Sequence, residues 1–536
     1  MVRKTNAIGL STDDILLALR DSYLVCGVEW DQSSTAPALT RIDINGNPDE
    51  GTRDTTFFDS HVVWGNMKRC NLADNGTVND YHGGGSFAYD GTNGQVMVRV
   101  PKFWYKSEKD GTTYRWWISP VAAPGFTVHP AFVSDSVEYD QFYFSAFEGS
   151  VYDVTAGATE VNTIQITAEP TANGNITITL DGNYAFTVAV LDADTIEGVI
   201  DKIVAAGNQT DYQGIVWTVA KTAADTLTYT ADSNGLKTTA TFSGGTTGVT
   251  ATVTKTTSGA GGYVLNDAAG VDFTATTGDK MASVAGVKPL SGWNNATATM
   301  TNVRVLAQNR GSGWELINFN QVCAIQLLYL VEYASFSSQT EIGAGVTGVN
   351  DTTAGNTYNN ALNTGFTAGV GTSSTDFANA SGACTGVTHY STSESDADIQ
   401  PITYRGIENF WGNIYIWVDG INIKADNNPW IADHDFADNT FVHPYSDTGL
   451  TLHNANGYPT DVAYGAAMDY GFLATAVGGA TGEYLCDYYY QNTGNRSARL
   501  GGSWINGPFV GAFCWSLSSV DSGVARYVGA RPVFIG

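Results

Sequence analysis

Between residues 156 and 262 apolar and polar positions alternate in short runs. The segments "NTIQITAE", "NITITLD", "YAFTVAV", "IVWTVAK", "TLTYTAD" and "VTATVTKTT" put a β-branched or aromatic side chain at every second position, the period of a strand with one buried face. One run departs from it. In "DTIEGVIDKIVAAG" the apolar residues Ile196, Val199, Ile200, Ile203 and Val204 recur at helical spacing, and Gly207 supplies the stop. The flanks "SAFEGSVYDVTAG" and "GAGGYVLNDAAG" read as loops. The pattern therefore predicts a small β-rich domain over 156–262, inserted into a larger domain formed by 60–155 and 263–536.

The larger domain is dense in Trp and Tyr and contains one strong helical signal. Over 318–333 ("NFNQVCAIQLLYLVEY") apolar side chains recur at Val322, Ile325, Leu328 and Val331, with Asn318 or Asn320 as the cap, which predicts a helix laid against a sheet. Residues 334–400 are rich in Gly, Ser, Thr, Asn and Asp and read as long loops. The first 59 residues form a third region, with an amphipathic "TDDILLALRDS" and a strand-like "YLVCGVEW", expected to serve attachment or oligomerisation. The fold class expected is α+β, mostly β.

Composition sharpens that picture. The 60 glycines and 12% aromatic content suit short strands joined by turns. A net charge of −27, with acids scattered along the chain, argues against nucleic acid, whose phosphates need cations, and against anionic bilayers. Asp13, Asp14, Arg20 and Asp21 interrupt the apolar stretch near the start, so neither a cleaved signal nor membrane insertion is expected. Cys26, Cys70, Cys323, Cys384, Cys486 and Cys514 are far apart without a C-x-x-C pair, which favours free thiols and disfavours zinc. Asp426, Asp433, Asp435 and Asp438 cluster, but their spacing matches no EF-hand and reads as a solvated loop. The seven histidines form no ligand pattern, and no carboxylate pair stands out for glycan cleavage. No catalytic residue, metal or cofactor is expected.

Three passages carry a resemblance: the residues from Gln308 to Leu316 ("QNRGSGWEL"), "YRGIENFWGNIYIWVDGINI" at 404–423, and "ARLGGSWINGPFVGAFCWSLSSVDSGVARYVGARPVFIG" at 498–536. In the second, Trp411 and Trp417 read as core residues, while Glu408, Asn409 and Asn413 read as partners for buried backbone groups. As an ordered set the passages resemble the C-type-lectin-like domains of phage tail proteins and the variable proteins of diversity-generating retroelements (the major tropism determinant type), which share a core with formylglycine-generating enzymes. The enzymes of that group use two neighbouring cysteines, a context that Cys486 and Cys514 do not match.

The resemblance implies a C-type-lectin-like domain whose segment 503–528 holds interchangeable side chains toward a ligand. It assigns ligand binding to Ile505, Pro508, Phe509, Val510, Cys514, Ser516, Ser518, Val520, Asp521, Ser522, Val524 and Tyr527. Each of these is reachable by replacing adenines in an Asn codon, and no Lys, Glu, Gln or Met occurs between Ser503 and Val528. An outward set with this many apolar members is an interaction patch, with Phe509 and Tyr527 as anchors. The function implied is a virion receptor-binding adhesin, made in the host cytoplasm and carried on the phage tail as a homotrimer beside other tail proteins. Its partner would be a bacterial surface protein or glycan, bound with avidity. A structural virion decoration protein and a glycan-cleaving tail protein are the alternatives.

Overall fold

Asn318 accepts a hydrogen bond from the Gln321 backbone while the Gln321 side chain reaches back to the Asn318 backbone, a capping box that starts the helix Phe319–Tyr333 where the sequence placed it. The computed structural model describes residues 24–49, 53–182, 184–211, 215–235, 237–264, 270–292, 297–349, 360–371, 373–387 and 399–536. In it this helix is buried on every side rather than along one stripe. Trp64 donates to the Leu328 carbonyl, Tyr329 meets Tyr404 and Phe513, and Phe319 meets Trp515. Such a helix is a central post with structure all round it. With 38% strand against 11% helix, the chain is mostly β with few helices.

Two sheets matter most for the site. One has six strands in the order Trp314–Leu316, Pro532–Phe534, Gln141–Ser145, Gln95–Pro101, Lys68–Leu72 and Val78–Tyr81, so the last strand of the chain sits among early ones. The other runs Ser446–Asp447, Pro429–Ile431, Tyr415–Ile423, Arg496–Leu500, Trp515–Ser519 and Tyr490–Gln491, with Val528–Gly529 pairing in parallel with Tyr415 and Ile416. On one face of it Ile416, Val418, Ala498, Leu500, Trp515 and Leu517 join the main core with the long helix. The opposite face carries Tyr415, Trp417, Arg499 and Ser516, aligned across neighbouring strands.

The strand Cys26–Asp31 pairs along its full length with Thr113–Ser119. The sheet therefore crosses the boundary expected at 59/60; the amphipathic segment at 12–22 lies outside the described residues. All six runs read as strands in 156–262 lie in strands, and "DTIEGVIDKIVAAG" holds the helix Ile196–Ala205, capped by Thr195. Their side chains form a cluster of their own around Ile164, Ile178, Ile200, Trp217 and Tyr229, joined by Val284 and Val287.

Both flanks contain strand, from Ser150 on in the first and at Ala260–Val264 in the second. A single strand, Ser150–Ala168, pairs first with Lys280–Ala282 and Ala260–Val264 and then with Thr226–Asn234 and Thr250–Thr257. Gly/Ala/Asp-rich text conceals it because its partners lie about a hundred residues away in sequence. At its bulge the chains approach so closely that a Cβ on Gly259 would stand 1.9 Å from the Gly235 carbonyl oxygen.

Candidate ligand-binding face

The segment 501–530 is pinned at both ends and in the middle. Trp504 donates its backbone N–H to Asn413 and accepts one from Val349, and Gly507 donates to Thr347. The Asn506 side chain accepts from the Ser503 backbone and hydroxyl at 2.9 and 2.7 Å. Ala512 donates to Ser338 Oγ, and its carbonyl accepts from Gln326 on the long helix. Phe513 donates to the Asp487 carboxylate at 2.8 Å, and Tyr415 donates to the Tyr527 carbonyl. Nearly all this support is backbone-directed, so it survives changes in many of the side chains it carries.

The twelve side chains expected to face a ligand divide into three groups. Ile505, Phe509 and Val520 are exposed, at 42%, 39% and 41%, as are Pro508 and Ser522. Ser518, Asp521, Val524 and Tyr527 are half-buried; Tyr527 leans on Trp504 and Tyr415 with ring centres 6.4 Å apart in each case. Val510, Cys514 and Ser516 are buried, which corrects the expectation for these three. Val510 turns inward against Gly502, whose φ of +72° brings the backbone so near that a Cβ there would meet Val510 Cγ2 at 2.3 Å. Cys514 falls within the turn that enters Trp515–Ser519, and Ser516 lies under the Arg499 guanidinium, which donates to its hydroxyl at 3.3 Å.

Sequence reasoning missed the rings around Phe509. Phe509 packs against Tyr488 at 5.1 Å and Tyr458 at 6.1 Å; Tyr488 in turn meets Tyr458 at 5.1 Å and Tyr490 at 4.8 Å. All three tyrosines are half-buried, whereas Tyr489 between two of them is buried. The in-out alternation of "YYY" at 488–490 was the available signal. Four rings thus make an aromatic ledge beside Ile505 and Pro508.

Arg499 lies across the sheet from Tyr490, on the far side of Ser516. Its guanidinium is 5.0 Å from the centre of the Tyr415 ring and 5.5 Å from that of Trp417, and its Nε has no hydrogen-bond partner. Burial makes its proton easier to lose than in water, the reverse of Arg304 and Arg405, where neighbouring carboxylates hold the proton more firmly. Tyr490 pairs with Ser516 at the edge of the same site.

Elsewhere the residues singled out by sequence have structural partners. Trp411 and Trp417 are buried. Glu408 accepts from the Gly365 and Thr367 backbones at 2.7 Å each, Asn413 from Leu362 at 2.7 Å, and Asn409 from Ile402 at 3.3 Å. Asp438 pairs with Arg304, Asp433 with His434 and Asp426 with Lys424. Among the described residues no group of His, Cys, Asp or Glu is gathered to hold a metal. The six cysteines are buried and unpaired. A charged cleft of about 590 Å³, lined by Arg41, Asp59, Glu332, Tyr333, Glu341 and Arg405 among others, shares no residue with the face.

Fold and site together define a mostly-β protein that presents a ledge of rings and exposed apolar side chains on a backbone-braced sheet edge. No protein-family model matches the chain, and no curated protein matches it.

Proposed function

We propose that this chain is a receptor-binding adhesin of a phage virion, seated at a tail-fibre tip, in which a C-type-lectin-like domain (60–155 and 263–536) interrupted by an inserted unit (156–262) offers the face at 503–528 to a bacterial surface ligand. The reading rests on one observation: the exposed Ile505, Pro508 and Phe509, continued by Tyr458 and Tyr488, form an apolar ledge whose support is backbone hydrogen bonding. Apolar rings left partly in water on a fixed frame add little to the fold and suit a partner. The resemblance of the passages at 308–316, 404–423 and 498–536 supports the same reading. The protein acts by binding rather than catalysis, as a homotrimer among other tail proteins, and many copies per particle add avidity.

The test is adsorption. Purified, labelled protein should bind host cells and block attachment of the particle that carries it, and Phe509→Ala should reduce both. Failure of the folded wild-type protein to bind any cell the particle infects would leave a structural decoration role instead. Release of sugars from the cell surface by the purified protein would point to a glycan-cleaving one.

A further inference from the structure

Six buried arginines show what this fold normally does with a guanidinium taken out of water. Arg304 meets Asp419 and Asp438, Arg405 meets Glu332 and Asp59, Arg310 meets Asp74, and Arg53 meets Asp49. Arg69 bonds Gly406 O, Thr367 O and Thr367 Oγ1, and Arg531 bonds the carbonyls of Ser145, Glu408 and Asn409. Arg499 differs. It is 8% exposed, yet among the described residues it has no carboxylate and no carbonyl, only Ser516 Oγ at 3.3 Å; its Nε is unpartnered, as is that of Arg531, which has carbonyls for its other donors. Stacking on Tyr415 and Trp417 is a favourable cation–π contact. It does not replace hydrogen bonds to a fork of five donors.

The surroundings suit an anion. From Tyr490 to Gly536 the chain holds Arg496, Arg499, Arg526 and Arg531 against the single acid Asp521, in a protein whose net charge is −27. Ser518, half-buried at the surface, reaches Ser516 at 3.1 Å and so places a second hydroxyl beside the guanidinium. Tyr490 pairs with Ser516 on the adjoining strand, and its ring leads by way of Tyr488 to Tyr458 and Phe509. Flat rings beside hydroxyls and a bidentate cation match a pyranose ring that bears a carboxylate. A densely acidic partner would also meet the field of the whole molecule. A saccharide with one charge per unit meets chiefly the local arginines, because screening at physiological salt sets in within about 8 Å.

We propose that Arg499, positioned by Ser516 and assisted by Ser518, binds the carboxylate of a uronic-acid saccharide whose ring rests on the aromatic ledge. This deepens the adhesin reading and rests on it, since the site lies on the same face.

The full-length protein is titrated by calorimetry with tetragalacturonate, with tetraglucuronate, and with the methyl ester of each, which keeps the backbone and removes the charge. At least one acid should bind tenfold or more tighter than its ester. Arg499→Gln should abolish that preference. Ser518→Asp, at a half-buried surface position, supplies an internal carboxylate to Arg499 and should weaken acid binding at least tenfold with a melting temperature no lower than that of the wild type, so the test survives if the Arg499 variant fails to fold. Equal binding of acids and esters, or no binding of either acid, overturns the proposal. Equal binding of a tetra-aspartate peptide overturns the saccharide assignment. If cell adsorption persists while both acids fail, the carboxylate site falls and the adhesin reading stands; if adsorption is also lost, both fall.

Discussion

Phe509 and Tyr488 meet edge to face, with ring centres 5.1 Å apart and planes at 71°, and the Tyr488 backbone N–H donates to the Phe509 carbonyl at 2.9 Å. The contact ties the loop at 507–509 to the strand end at 490–491. Its rings are outside the main core, so it orders the surface more than it supports the fold.

Phe509→Ala and Tyr488→Ala should therefore each lower the affinity of the protein for host cells by about tenfold, near the lower limit for an interface anchor. Each should change folding stability by no more than about 1 kcal/mol. Because the rings touch, the double variant should lose less than the product of the two single effects. Binding to cells by flow cytometry and chemical denaturation measure the two quantities; equal effects on both would mean that the ledge is structural.

Val510 and Ile505 lie five positions apart in the same segment and should behave oppositely. Val510 is fully buried against Gly502, so Val510→Ala should destabilise the protein by about 2 kcal/mol through lost burial and a residual cavity. Ile505 is 42% exposed, so Ile505→Ala should cost about 0.5 kcal/mol or less and be read in binding instead. A diversified population should vary freely at 505 and stay apolar and small at 510.

The two positions also show what was legible in the sequence. Strands such as Gly174–Leu180 and Tyr184–Val190 were readable because Ile176, Ile178, Val188 and Val190 sit at alternate places and point one way. The 503–513 loop has no period, so nothing in its text separates Ile505 from Val510. The inward turn depends on the left-handed Gly502 and on Ser338, Gln326 and Asp487, which belong to distant segments. For the same reason Ser150–Ala168 read as a loop at its start, and Arg499 carried no visible signal. Its lack of an acid partner among the described residues is a fact of the folded sheet.

Arg405 and Glu332 form a buried two-point pair at 2.8 and 2.5 Å, with the Tyr404 hydroxyl donating to the same carboxylate at 2.9 Å. They join the passage at 404–423 to the last turn of the long helix. Glu332→Gln leaves the guanidinium only the exposed Asp59 as counter-charge and should cost about 3 kcal/mol, whereas Arg405→Met with Glu332→Leu should recover much of that loss. Denaturation of the single and double variants decides it; a double variant no better than Glu332→Gln would mean that the pair is needed for more than its charge.

Asp487 supplies a pH dependence. Its carboxylate accepts the Phe513 N–H at 2.8 Å in a fully buried position, and burial pushes its pKa from 3.8 to about 7. The folded chain therefore keeps a proton that the unfolded chain has already lost. The stability this provides is complete below pH 3.8, declines as pH rises and is gone once pH passes about 7. Asp487→Asn keeps the acceptor for Phe513 and removes the titration. The stability of the variant relative to wild type should therefore rise between pH 4 and pH 8, by on the order of 4 kcal/mol at 1.36 kcal/mol per pKa unit. The neighbouring thiols do not interfere: burial pushes Cys486 up to about 11 and Cys514 higher still, so both stay neutral across the range. Denaturant midpoints of both proteins at pH 4, 6 and 8 measure the gap. A gap that stays constant across the range would show that Asp487 is ionised in the folded protein at acid pH, and that the wall behind the 510–513 turn is wetter than its burial implies.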